Sequence, residues 1–192
     1  MALARSRFGD ARGFSLLEVL VSSALLATGL LTIAQLFTIA TDSNRRARMS
    51  TSAAILAEQK MEQLRGLTWG YDLLGLPLSD VSSNISVVPA TTTGGSGLAP
   101  SPADSLIRNV PGFVDYLDAY GTWVGTGSYP PAGTVYIRRW SIEPLPTNPN
   151  NTLILQILVT RFQNRGTAAD AGSVKRLPEE ARLISVKTRK ST

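Results

Sequence analysis

Glu18 is the only charged side chain in residues 14–40, a run otherwise made of apolar, small and neutral-polar residues. A run of this length can cross a bilayer as a helix, which takes about 20 apolar residues. A carboxylate at membrane depth costs roughly 2.5–3.5 kcal/mol on insertion scales, so a chain that keeps one there has to supply it with a partner. The segment is thereby set apart from the rest of the chain, and its one charge is marked as a candidate functional group.

The residues ahead of the run suggest what that partner is. Residues 1–13 are short and basic, with Arg5, Arg7 and Arg12 against Asp10, and they end at Gly13. An ordinary secretory signal is cut after its apolar part, at a small-residue site. No Ala-x-Ala-like site follows this apolar run before the polar residues begin at Thr41. A cut after Gly13 would instead remove only the basic leader, retain the helix and create an amino group at Phe14. That amine lies one helical turn from Glu18, because residues i and i+4 share a helix face.

Gly13, Phe14, Glu18 and the uninterrupted apolar helix together resemble the class III signal of type IV prepilins and type II secretion pseudopilins. The resemblance implies cleavage between Gly13 and Phe14 by a prepilin peptidase, N-methylation of Phe14, and pairing of Glu18 with the terminal amine of a neighbouring subunit during assembly in the membrane and filament core. It also implies its partners: the peptidase, a major pilin and other minor pilins, an inner-membrane assembly platform and the lipid bilayer. Charge counting does not orient the span, since Arg45, Arg46 and Arg48 beyond it balance the leader. The resemblance does, implying a single-pass inner-membrane protein with its head in the periplasm, and then a place in a pilus or at the cell surface. The plainer alternative is a simple signal anchor with Glu18 near the headgroups.

Residues 56–65, Leu-Ala-Glu-Gln-Lys-Met-Glu-Gln-Leu-Arg, following the Leu-Leu-Glu-Val-Leu start at 16–20, look like minor pilins of the PilV type. Gln35 stands where major pilins usually carry a proline, which puts local melting of the helix in doubt; Gly29 is the intrinsic weak point, costing up to about 1 kcal/mol relative to alanine. The C-terminal cysteine pair of many major pilins is missing, which agrees with a minor subunit. The expected function is that of a non-enzymatic minor pilin that primes or modifies a type IV pilus, serving adhesion, twitching motility or DNA uptake. One alternative is a type II secretion pseudopilin. Another is a pilus-tip adhesive or DNA-binding subunit, with Arg138, Arg139 and Trp140 beside Tyr136 as the candidate nucleic-acid contacts, because interleaved basic and aromatic groups engage phosphates and bases together. Against it, Arg138 and Trp140 fall on one strand face and Arg139 on the other, as an ordinary exposed sheet face would place them.

Composition narrows the chemistry. The chain has 192 residues, 19 Lys and Arg against 14 Asp and Glu, and neither cysteine nor histidine. The commonest general base and commonest transition-metal ligand are therefore absent, which disfavours a triad hydrolase or a zinc site. No catalytic residue, cofactor or metal site is expected. Asp115 and Asp118 could together ligate calcium through carboxylate oxygens, but a hairpin with solvated aspartates accounts for them more simply.

The predicted fold class is α+β: a long N-terminal helix, half transmembrane and half amphipathic, packed on an antiparallel β-sheet head, as in pilins. The expected divisions are a removable leader at 1–13, a transmembrane and assembly helix at 14–40, its amphipathic continuation at 41–66 and a strand-rich head at 67–192. In the continuation Met49, Ala53, Leu56, Ala57, Met61 and Leu64 recur every three or four residues, while Arg45, Arg48, Glu58, Lys60, Glu62 and Arg65 fill other faces. Gly66 is the expected C-terminal cap. Residues 90–105, rich in Thr, Gly, Ser, Pro and Ala, read as an exposed flexible loop. Residues 134–143 and 152–162 are expected to form an antiparallel pair, 182–188 a third strand, and 113–116 with 122–124 a small hairpin. Leu153, Leu155, Ile157 and Val159 alternate onto one face, which should pack on the helix around residues 56–64.

Overall fold

The computed structural model describes residues 14–80, 97–162 and 180–190. Its elements are helix α1 (Leu16–Gly66) and strands β1 (Trp69–Tyr71), β2 (Pro77–Ser79), β3 (Val114–Leu117), β4 (Trp123–Gly125), β5 (Tyr136–Pro144), β6 (Thr152–Arg161) and β7 (Ala181–Thr188). The chain divides into two compact units at residues 45 and 46, within α1.

In the first unit the described residues are helical from Leu16 onward and all are exposed, their apolar side chains on every face. α1 is long and apolar enough in this part to cross a membrane. Its polar side chains are largely satisfied within the helix. The hydroxyls of Ser23, Thr28, Thr32 and Thr38 each donate to the backbone carbonyl four residues earlier, at 2.7–3.1 Å. Such back-bonding keeps hydroxyls from needing outside partners in a medium that offers none.

The second unit is a helix packed on one face of a sheet. Five antiparallel strands lie in the order β4-β3-β5-β6-β7, with β1 and β2 as a separate hairpin. β5 pairs with β6 over the whole length of β5, from Tyr136 opposite Arg161 to Pro144 opposite Leu153. Because strand side chains alternate, Leu153, Leu155, Ile157 and Val159 of β6 and Tyr136, Trp140 and Ile142 of β5 enter one core with Ala53, Leu56, Ala57, Met61 and Leu64 of α1. Burying each large apolar side chain of this set is worth about 1.5–3 kcal/mol. On the opposite sheet face Val114, Tyr116 and Ile137 form a smaller cluster with Phe162. The helix-on-antiparallel-sheet class expected from the periodicities is the class observed.

Four expectations need correction. Lys60 is not on a solvated face but is fully buried among the core side chains. Asp115 is buried too, and only Asp118 behaves as a turn residue: its carboxylate accepts from the N–H groups of Tyr120 and Thr122, both at 2.8 Å, closing the β3–β4 hairpin. Of the expected flexible loop, residues 90–96 lie outside the described residues. The remainder is exposed at 99, 100 and 102–104 as expected but is tied down, with Leu98 in the core, the Ser101 N–H donating to the Ile142 carbonyl and the Ile142 N–H donating to Ser101 Oγ. Finally, Gly66 ends α1 without taking a left-handed φ.

Gly121, in the β3–β4 turn, does take one, at φ 80°, and a Cβ there would stand 2.8 Å from Leu56 Cδ2. Both backbone and space therefore demand glycine. Gly121→Ala is expected to destabilise the head by about 1–3 kcal/mol; thermal unfolding of the full chain in detergent checks this, and an unchanged midpoint would show that the turn can move off the helix.

Candidate functional site

Two places concentrate polar chemistry against an apolar background. At the start of α1, Glu18 occupies the first helical turn, where a carboxylate is favoured by the exposed N–H groups and the helix dipole. Residues 14, 18, 22 and 26 follow one another at helical spacing, and the side chains of Phe14, Glu18, Val19, Ser22, Ser23 and Leu26 line a shallow groove of about 370 Å³. Phe14 is exposed beside it, one turn before Glu18. Gly13 lies outside the described residues. The site presents a single carboxylate in an apolar groove, with no cation supplied by the described part of the groove itself. Chemically it can accept a cationic hydrogen-bond donor from elsewhere.

The second place is inside the head, where α1 meets β3 and β5. Lys60 Nζ lies 3.1 Å from Asp115 Oδ2 and 3.8 Å from the centre of the Trp140 ring. Arg138 reaches the same carboxylate oxygen through Nη2 at 2.8 Å, while its Nη1 donates to the Leu56 carbonyl at 3.1 Å. The indole N–H of Trp123 donates to Asp115 Oδ1 at 3.3 Å. One carboxylate thus holds two cations, one from the helix and one from the sheet, and Arg138 also grips the helix backbone. Phe113 packs beside Trp140, ring centres 6.3 Å apart.

The electrostatics follow from burial. Desolvation pushes the Lys60 ammonium down to about 8, the Arg138 charge adding to the fall and Asp115 opposing it. For Asp115 burial works against the charged form, but the Lys60 and Arg138 charges and their hydrogen bonds outweigh it and hold the carboxyl below its usual range. An ionised carboxylate is a poor electrophile toward the nearby Lys60 amine, so the arrangement is a clamp between helix and sheet.

This geometry places the three candidate nucleic-acid residues. Arg138 and Trp140 point into the core and are buried, and Arg139, on the other sheet face, is half-buried and donates to Asn109 Oδ1 at 2.9 Å. The exposed basic and aromatic sheet face read from the sequence is not there. The physical reason is that Arg138 is needed to neutralise Asp115. The Lys60–Asp115 pair has one signal in the sequence: Lys60 sits four residues after Leu56 and four before Leu64, in line with the apolar stripe. A lysine in that register is buried and requires a carboxylate.

A family model described as the prokaryotic N-terminal methylation motif matches residues 9–34. The match covers the Gly13–Phe14 junction, Glu18 and the groove that contains it. No curated protein and no solved structure matches the chain.

Proposed function

We propose that the chain is a non-enzymatic minor pilin, of the PilV type, that primes or modifies a type IV pilus after its leader is removed at Gly13. The observation that carries this reading is the methylation motif at residues 9–34 set on a helix whose only charge before residue 42 is Glu18. In this account residues 14–40 are the membrane and assembly segment, residues 41–66 continue the helix into the head, and the head faces the periplasm until the subunit enters the filament. Cleavage supplies the cation that the groove lacks: the new Phe14 amine of one subunit meets Glu18 of another. Inside an apolar helix bundle each charge alone is costly, and together they offset one another.

Mass spectrometry of the chain from its own membrane is the direct test. The expected first residue is an N-methylated Phe14; an intact Met1 leader in the assembled form would overturn the reading. Deleting the chain is expected to reduce piliation, twitching or DNA uptake, whereas loss of protein secretion with all three intact would assign it to a type II secretion pseudopilus.

A further inference from the structure

The β1–β2 hairpin ends in a turn that displays leucines to solvent. Leu73 is 100% exposed and Leu74 84%, with Leu76 and Leu78 also exposed beside them. Nothing about this turn is slack. Asp72 Oδ1 accepts from the N–H groups of Leu74 and Leu76 at 2.9 and 2.7 Å, the Asp72 N–H donates to the Leu76 carbonyl at 2.9 Å, and Gly75 takes the left-handed conformation at φ 78°. The hairpin base is equally braced. The Arg189 guanidinium stacks on the Trp69 ring at 3.7 Å and donates to the Gly70 carbonyl at 2.9 Å, while the Tyr71 hydroxyl donates to Asn151.

We propose that the leucine turn at residues 73–76 is a docking knob for an apolar pocket rimmed by carboxylates on a different protein subunit of the same assembly. A turn whose backbone is already held binds with a smaller ordering cost, and an apolar patch kept at the surface marks an interaction site. Charge selects the partner. Lys187, Arg189 and Lys190 surround the hairpin base: Lys187 donates to the Arg65 carbonyl, and the Lys190 backbone lies against Trp69 and Gly70. The nearby carboxylates are turned inward, Asp72 to its own turn and Asp80 to the Thr68 N–H. Two copies meeting hairpin to hairpin would bring these cations together. An acidic rim is favoured and self-pairing is opposed. Trp69, Tyr71 and Arg189 at the base are of the residue types that dominate interface energetics.

The partner's identity as a co-assembled subunit rests on the pilin reading; the knob itself does not. The chain has no cysteine, so Leu76→Cys in the full chain gives a unique thiol for a benzophenone photo-cross-linker in native membranes and filaments, with Tyr129→Cys as an exposed control elsewhere on the head. A protein adduct is expected from position 76 and not from 129. It should fall about tenfold at roughly 0.5 M salt, fall likewise with Lys190→Glu, and disappear with Leu73→Ser plus Leu74→Ser at an unchanged melting temperature. The site mapped on the partner should carry carboxylates. An adduct to a second copy or to lipid, one indifferent to salt and to Lys190→Glu, or no adduct from chains recovered in filaments overturns the proposal. Absence of the chain from filaments, read in the same preparation, would instead overturn the pilin reading.

Discussion

Asp115→Ala is expected to destabilise the head by about 3–5 kcal/mol, the usual loss when one partner of a buried ion pair is removed. Without the carboxylate, the Lys60 ammonium and the Arg138 guanidinium face each other in the core with no anion between them. Chemical unfolding of the full chain in detergent, followed by near-UV dichroism of the buried tryptophan, measures it; a loss below about 1 kcal/mol would mean that water reaches the cluster. Lys60→Met should behave differently. It removes the more expensive cation, leaves Asp115 paired with Arg138, and fills the same volume, so the change is expected to be small or stabilising.

The same lysine predicts a pH dependence of definite sign. Its folded value lies near 8 and its ordinary value is 10.5, so between those limits the unfolded chain binds the proton that the folded head has released. Stability attributable to Lys60 therefore rises with pH across that window, by up to about 3 kcal/mol, and the penalty is present in full below it. Tyr116, whose hydroxyl burial pushes upward, works in the opposite direction at the alkaline end. The difference between wild type and Lys60→Met isolates the lysine: it should shrink as pH rises from 8, and a constant difference would disprove the titration.

The second large effect belongs to the apolar part of α1 and follows from the proposed pairing of Glu18 with the Phe14 amine of another subunit. Glu18→Ala is expected to leave insertion intact and reduce incorporation into filaments by about tenfold or more, the change that about 1.4 kcal/mol of lost pairing produces. Removing the charge makes the span cheaper to insert, so a fall in membrane content is not expected. Quantifying the chain in membrane and sheared-filament fractions separates the two steps. Unimpaired incorporation would remove the pairing role from Glu18.

Much of this architecture could be read along the chain. The helix, the β5–β6 pair, the third strand and the small hairpin each rest on a local period or a run of turn residues, and local signals survive without knowledge of the partner element. The same holds for the N-terminal methylation motif matched at residues 9–34, which lies within one short segment. Alternation puts Arg138 and Trp140 on one strand face, as the structure has them, but reads that face as exposed where α1 buries it. Alternation tells which side chains point together; it does not tell which side the helix covers.

Periodicity and the cost of charge in an apolar run are local properties, and they were enough to read the long helix, the single carboxylate in its apolar part and the main strands of the sheet; the β1–β2 hairpin had no such signal. That Lys60, Asp115 and Arg138 form one buried cluster comes from packing alone. They come from three elements far apart in the chain, and a charge reads as solvated until packing removes its water and brings the opposite charge within about 3 Å.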